Sequence, residues 1–477
     1  LETYPGPLTD FDIPRLIPYV IATYRCAVSN GGAIDEAMAD CQSGPHVVNG
    51  RPDMPPAAWE GTMTSPIRRI VAVCALAMSV FYAWPAMAAE TIKIAYVDPF
   101  SGPFASGGDE FLKIFKVLFD RVNAQGGALG RQFELVPFDD KLQPAEALIA
   151  LQTVTDQNIP FVMQCTGSNV GAALIDGVSK HNARNPDNRV LYLNCGALAT
   201  ELTNEKCDFW QFRFAGSVEM RAATRIKALP DSVKKVYLLN QDYLFGQSIR
   251  DDTMKYLAKY RPDIEIVGNE LMPFGKVQDF SSYVTKIKAS GAQSVITGNY
   301  NRDLNLLIKA AVDEGLNVRF DTYLAHLIGG PTAIGPAGEN RLTSIMEYSG
   351  NVPVDLKVPE AEQFTIDWRK SHDTDFSTLN FMTMLDMLRT AINKAGSTDP
   401  LKVALALEDM HAKDLVGQEN IMRKDDHQLL MPYYAGVFSK DVKYDSEHTG
   451  FGWKTYFTAS AADLALPTTC KMKRPTN

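Results

Sequence analysis

Residues 92–131 read IKIAYVDPFSGPFASGGDEFLKIFKVLFDRVNAQGGALGR. Ile92, Ile94, Tyr96 and Phe100 lie in a short run of strand-favouring residues. Pro99, Gly102, Pro103, Gly107 and Gly108 interrupt that run. Phe111, Ile114, Phe115, Leu118, Phe119 and Val122 then recur at helical spacing. The stretch from Asn123 to Gly130 ends the helix, its glycines supplying the positive φ that other residues resist. A strand that feeds a helix through a glycine-rich loop is the first half of a βαβ unit. In sheets of such units, ligands bind where loops leave the carboxyl ends of the strands.

The alternation continues outward. Strands are predicted over 133–138, 160–164, 190–194 and 209–214, with helices over 144–157 and 170–182. After about Gly216 a second series begins. KKVYLLN, IEIVGNEL, the end of DFSSYVTKIKASGAQSVITGNY, and VRFDTYL read as strands separated by helices. The expected fold is α/β: two similar lobes, each a mostly parallel sheet flanked by helices. Amphipathic helices over 361–372, 376–396 and 401–410 are expected to return to the first lobe.

At 477 residues the chain exceeds one domain. Its 45% hydrophobic and 22% charged content is ordinary for a globular protein, and a net charge of −9 gives no basic footprint for nucleic acid. No G-x-x-x-x-G-K-[ST] loop, G-x-S-x-G elbow, C-x-x-C pair or H-x-x-x-H spacing occurs among the catalytic and metal motifs. GGALG follows a helix where a dinucleotide loop would follow a strand. His427, beside Asp425 and Asp426, reads as structural.

Met63 opens MTSPIRRIVAVCALAMSVFYAWPAMAAE. It holds a basic start at Arg68 and Arg69, an apolar run from Ile70 to Trp84, and the small-x-small pattern Ala86-Met87-Ala88. Residues 63–88 are therefore expected to be a cleaved signal peptide, with the mature chain starting near Ala89. Residues 1–62 fit no pattern and are expected to be a non-native upstream extension. In an exported chain four later cysteines permit two bridges. Cys470, in a polar tail, is expected to be stapled to Cys207. Cys165 and Cys195 read either as the second bridge or as buried thiols.

Ser101-Gly102-Pro103, Gly108, Asn123, Gly126-Gly127, Gly130, Asp139-Asp140 and Pro144-Ala145 resemble the start of the leucine/isoleucine/valine-binding proteins of ABC importers. Asp279-Phe280-Ser281, Ile287-Lys288 and Gly291-Ala292 carry the resemblance further, to about residue 440. It implies the type I periplasmic binding fold, with the lobes joined by a three-strand hinge. The lobes are expected at 89–215 with 346–422, and 216–345 with 423–477. The crossings are placed near 214–216, 344–349 and 420–424. The implied function is delivery of a small ligand to the membrane subunits of an ABC transporter from the periplasm. It implies a monomer with no cofactor, no metal and no catalytic residue. A ligand-sensing receptor of the same fold, and an enzyme on this scaffold, are the alternatives.

The best anion site is Cys165-Thr166-Gly167-Ser168-Asn169, where a buried strand gives way to a helix. Free amides and the hydroxyls of Thr166 and Ser168 would face the cleft, and Gly167 would admit a ligand to the backbone. The resemblance implies that this loop holds a ligand carboxylate. It also implies a contact from the loop of Ala197 and Leu198, where leucine stands in place of the usual hydroxyl residue. The family's ammonium-binding acid would fall near Leu324 or Ala325. Asp242 is a candidate substitute. Phe104, Ser106, Tyr243, Phe245, Tyr300 and Tyr323 complete the candidate site, the aromatics as walls for an apolar or planar ligand body.

Overall fold

The computed structural model describes residues 90–475 except 103, 328, 373 and 374. The expected signal peptide and upstream extension lie outside the described residues. The first lobe is built from β1 (Ile92–Asp98), α1 (Ala105–Ala124), β2 (Phe133–Asp139), α2 (Pro144–Asp156), β3 (Phe161–Gln164), α3 (Ser168–Arg184), β4 (Leu191–Asn194) and β5 (Gln211–Arg213). Its sheet has the order β2-β1-β3-β4-β5 and is parallel throughout. The central strands β3 and β4 are buried along their whole length, as strands covered by helices on both faces must be. Helix α1 lays Ile114, Phe115, Leu118, Phe119 and Val122 into the core.

The second lobe comprises α4 (Val218–Lys227), β6 (Lys235–Gln241), α5 (Leu244–Tyr260), β7 (Glu265–Met272), α6 (Ser281–Ser290), β8 (Ser294–Thr297), α7 (Asn301–Asp313), β9 (Arg319–Thr322), α8 (Gly330–Ile334) and β10 (Leu342–Met346). Two late strands, β14 (Tyr433–Ser439) and β15 (Gly452–Ala459), complete its sheet in the order β15-β14-β10-β9-β8-β6-β7. Strands β6 to β10 run parallel to one another, and β14 pairs antiparallel with both β10 and β15 at one side.

The chain is shared between the lobes differently from the expected boundaries. After β10, α9 (Val352–Asp355) and α10 (Pro359–Ser371) stay with the second sheet. Asp355 accepts the Thr455 amide at 2.8 Å, Tyr444 donates to Glu362 at 2.7 Å, and Arg369 pairs with Asp445 at 2.8 Å. The return to the first lobe is made by α11 (Leu379–Ala395). There Phe381 stacks on Phe115 with centroids 4.5 Å apart, and Arg121 grips Asp386 with both terminal nitrogens. An amphipathic pattern shows that a helix covers a sheet, not which sheet.

Helix α12 (Pro400–Leu407) leads into a small antiparallel sheet, β11 (His411–Lys413), β12 (Glu419–Met422) and β13 (Leu429–Leu430). That sheet occupies the place expected for the third crossing, so the chain reaches the second sheet only at Tyr433. The tail then comes back to the first lobe. Thr469 donates its amide to Asn204 at 2.8 Å, and Cys470 is bridged to Cys207 with Cα atoms 5.7 Å apart. Among the described residues no helix is long and apolar enough to cross a membrane.

Candidate functional site

In an open parallel sheet a crevice forms where the strand order reverses. In the first sheet β1 lies between β2 and β3, so the reversal is at the carboxyl ends of β1 and β3. In the second it lies between β6 and β8. The loops at these points carry Asp98, Cys165 and Thr166 in one lobe, and Tyr243, Phe245 and Tyr300 in the other. A cavity of about 420 Å³ opens between them. Its walls draw on both lobes and on α11.

Of the residues expected from sequence, Ser106, Thr166, Gly167, Ser168, Leu198, Tyr243, Phe245 and Tyr300 line this cavity, with Leu324. Tyr243 and Tyr300 join their hydroxyls at 3.1 Å, and Phe245 meets Tyr300 edge-on with centroids 6.0 Å apart. Four expected residues fall outside it. Phe104 stacks on Phe274 at 4.8 Å and faces a neighbouring cavity. Ala197 is buried, its amide donating to Asn194 at 2.8 Å. Tyr323 is buried with its hydroxyl 2.9 Å from that of Thr253. Asp242 accepts from Gln247 at 2.9 Å and is exposed, outside the cavity lining. Phe104 and Tyr323 are claimed by partners far away in the sequence, and Ala197 and Asp242 by partners three and five residues away.

The anion loop differs from its expected state. Asp98, at the end of β1 and fully buried, accepts the Thr166 amide at 2.7 Å and the Thr166 hydroxyl at 3.0 Å. It also accepts the Tyr96 hydroxyl at 2.6 Å and the Cys165 amide at 3.3 Å. Burial drives the Asp98 carboxyl upward and these donors hold it back, leaving it at about 6. Ser168 turns its hydroxyl to the Ala199 amide at 3.1 Å. What remains toward the cavity is the start of α3, whose first amides have no carbonyl within the helix to bond. Gly167 stands at φ 93°, and a Cβ there would fall 2.6 Å from Leu142 Cδ1. Cys165 and Cys195, both on the cavity wall, are bridged, with Cα atoms 4.5 Å apart. The bridge ties the end of β3 to the end of β4.

Sequence reasoning missed a buried ion pair on the cavity wall, Arg221 and Glu347. Arg221 sits in the first turn of α4 and Glu347 directly follows β10. Glu347 also accepts the Tyr433 hydroxyl at 3.2 Å, and that hydroxyl accepts the Gly216 amide at 2.9 Å. The pair thus rests on the segments through which the chain passes between lobes. Burial alone would raise the Glu347 carboxyl, but the charge of Arg221 and the neighbouring His326 imidazole outweigh it and hold it at about 2. Neither position carries a motif. The available signals were an arginine just after the first crossing and a glutamate just after a buried strand.

The sequence profile of the periplasmic binding protein family matches residues 91–443. This chain belongs to that family. It is 30% identical over 398 residues to Leu/Ile/Val-binding protein homolog 4 of Brucella melitensis, covering 81% of this chain and 94% of that protein. Among solved structures it is similar to the leucine-, isoleucine-, valine-, threonine- and alanine-binding protein of Brucella ovis in its closed conformation. That likeness has a TM-score of 0.73 at 28% identity, covering 81% of this chain and all of that one. A solute-binding protein of an ABC transporter from R. palustris, in complex with 4-hydroxybenzoate, shares the fold. Its TM-score is 0.66 at 20% identity, over 78% of this chain and 98% of that one. The family is one of solute-binding proteins.

Proposed function

We propose that the protein binds a small carboxylate with an apolar or aromatic body in the periplasm. It hands the solute to the membrane subunits of an ABC importer through closure of its lobes around it. The observation that carries this reading is the cavity between two strand-order reversals, with the start of α3 at one wall and Tyr243, Phe245, Tyr300 and Phe381 around it. A helix start accepts a carboxylate, and aromatic walls accept an apolar body. Asp98 occupies the donors of Thr166, so the amides that follow Gly167 are assigned to the ligand carboxylate. Leu198 and Leu324 offer an α-amino group no acceptor.

Glu347 supports a second reading, in which the solute is an α-amino acid and this carboxylate takes its ammonium. The first reading is preferred because Glu347 already has Arg221 as its counter-charge. A thermal-shift screen of purified protein, refolded to strip bound solute, separates the two. A ligand at a hundred times its Kd stabilises by about 2.7 kcal/mol. Aliphatic or aromatic acids are expected to raise the melting temperature more than leucine, valine or alanine. A shift confined to amino acids would overturn the first reading and leave the second.

A further inference from the structure

Each carboxylate buried in the cavity wall already has a counter-charge. Glu347 is paired with Arg221, and Glu110, on α1, with Lys113 at 3.1 Å. Asp109, the remaining carboxylate of the lining, is exposed. A neutral group on the same wall is less complete. Asn380 is the second residue of α11, the helix that returns the chain to the first lobe, and it is 2% exposed. Its amide nitrogen donates to the Cys195 carbonyl at 2.9 Å. A carbonyl only accepts, so the nitrogen of this carboxamide must face Cys195 and Oδ1 must face away from it. Oδ1 takes no hydrogen bond from the protein, yet it is not sealed off from water. The residue is otherwise enclosed and lines the cavity, so the cavity is where Oδ1 opens.

The surroundings tie Asn380 to one end of the solute. Cys195 is bridged to Cys165, with Cα atoms 4.5 Å apart, and Thr166 and Gly167 lead from Cys165 into the start of α3. All of these residues share the cavity wall. Oδ1 therefore opens on the side of the helix start assigned above to the carboxylate.

We propose that Asn380 is a specificity-determining residue, accepting a hydrogen bond from a hydroxyl that the solute carries close to its carboxylate. The assignment rests on the carboxylate reading given above and narrows it to a 2- or 3-hydroxy acid with an apolar or aromatic body. In ligand-free protein, water can pair with Oδ1. A solute that fills the cavity expels that water. A hydroxyl replaces its hydrogen bond, whereas a methylene leaves Oδ1 buried without a donor. An ammonium at the same place needs a buried counter-charge, which a neutral carboxamide does not supply and which Glu347 and Glu110 have already given to Arg221 and Lys113. The wall thus favours the hydroxy acid over both its deoxy and its amino counterparts.

Two matched series test this by titration calorimetry on the refolded protein. One is 4-methylpentanoate with its 2-hydroxy, 3-hydroxy and 2-amino derivatives. The other is 3-phenylpropanoate with the same three derivatives. In at least one series a hydroxy member is expected to bind about tenfold or more tighter than the deoxy parent and the amino member. Asn380→Leu removes Oδ1 and should bring the hydroxy and parent affinities to within about twofold of each other. Asn380→Asp keeps the shape of the side chain and covers the case in which the leucine variant does not fold. Its charge should move the preference from the hydroxy to the amino member, a reversal that a purely structural role would not produce. Equal affinity of hydroxy and parent acids, or a hydroxy preference that either variant leaves in place, would overturn the assignment while the carboxylate reading stands. Tightest binding of the amino member by the unaltered protein would overturn it in favour of the amino-acid reading. If no acid of either series binds, the carboxylate reading falls and the assignment with it.

Discussion

Gly216 lies in the passage between β5 and α4, and replacing it with alanine tests the packing that joins the passages. An added Cβ would fall 2.3 Å from Tyr433 Cε2 and 2.6 Å from its hydroxyl. The Tyr433 ring is fully buried, and the Arg221 guanidinium lies over it at 4.7 Å. The ring has little room to retreat, so Gly216→Ala must displace it or bend the passage. Overpacking of a buried site costs about 1–3 kcal/mol. Displacement would also stretch the bonds from the Gly216 amide, now 2.9 Å, and to Glu347, now 3.2 Å. Each bond contributes about 1 kcal/mol. Alanine restricts the unfolded chain and returns about 0.4–1 kcal/mol. The net expectation is a loss of about 2–4 kcal/mol, read from urea unfolding of ligand-free protein. Tyr433→Leu makes room for the methyl group, so the double variant should lose less than the sum of the two single losses. A Gly216→Ala protein within about 0.5 kcal/mol of the parent, or strictly additive losses, would refute the steric account.

Other expectations follow from particular contacts. Burial, and then the charge of Asp98, push the Asp140 carboxyl from 3.8 up to about 8. A raised carboxyl stabilises the fold fully below its unfolded value and loses that contribution as pH rises through its folded value. Unfolding free energy should therefore decline between about pH 4 and 8, by up to roughly 1.4 kcal/mol per unit, and Asp140→Asn should flatten the decline. An unchanged profile in urea melts would exclude Asp140 as its source. Replacing Cys165 and Cys195 together with alanine opens a loop of sequence separation 30. It should cost about 3–4 kcal/mol, and reduction of the parent, which also opens Cys207–Cys470, should cost more. Thr166→Val removes a hydroxyl that faces Asp98, so it should lower stability by about 1 kcal/mol. Its effect on calorimetric ligand affinity should be smaller than that. A larger effect on affinity than on stability would return Thr166 to direct ligand contact. Phe245→Ala should weaken the bound acid by about 1.5 kcal/mol, roughly tenfold, by removing one aromatic wall.

The alternation of strands and helices could be read directly, because period-2 and period-3.6 patterns are local properties of the chain. The stretch over 92–131 gave β1, the loop and α1 in their observed order. The positions that line the cavity, among them Thr166, Tyr243, Phe245 and Tyr300, were legible for the same reason: each lies within four residues of the end of a strand. Only the tertiary structure decided how those positions are used. Strand order places the reversal at β1 and β3, which brings Asp98 against Thr166 across 68 residues of sequence. It likewise brings Arg221 to Glu347 across 126 residues, and Cys165 to Cys195. Helix α10 was assigned to the wrong sheet because its apolar face fits either one. Sequence periodicity determines which side of an element is buried. The hydrogen-bond and charge partners of a buried group are set by distances between elements far apart in the chain, and no local pattern encodes them.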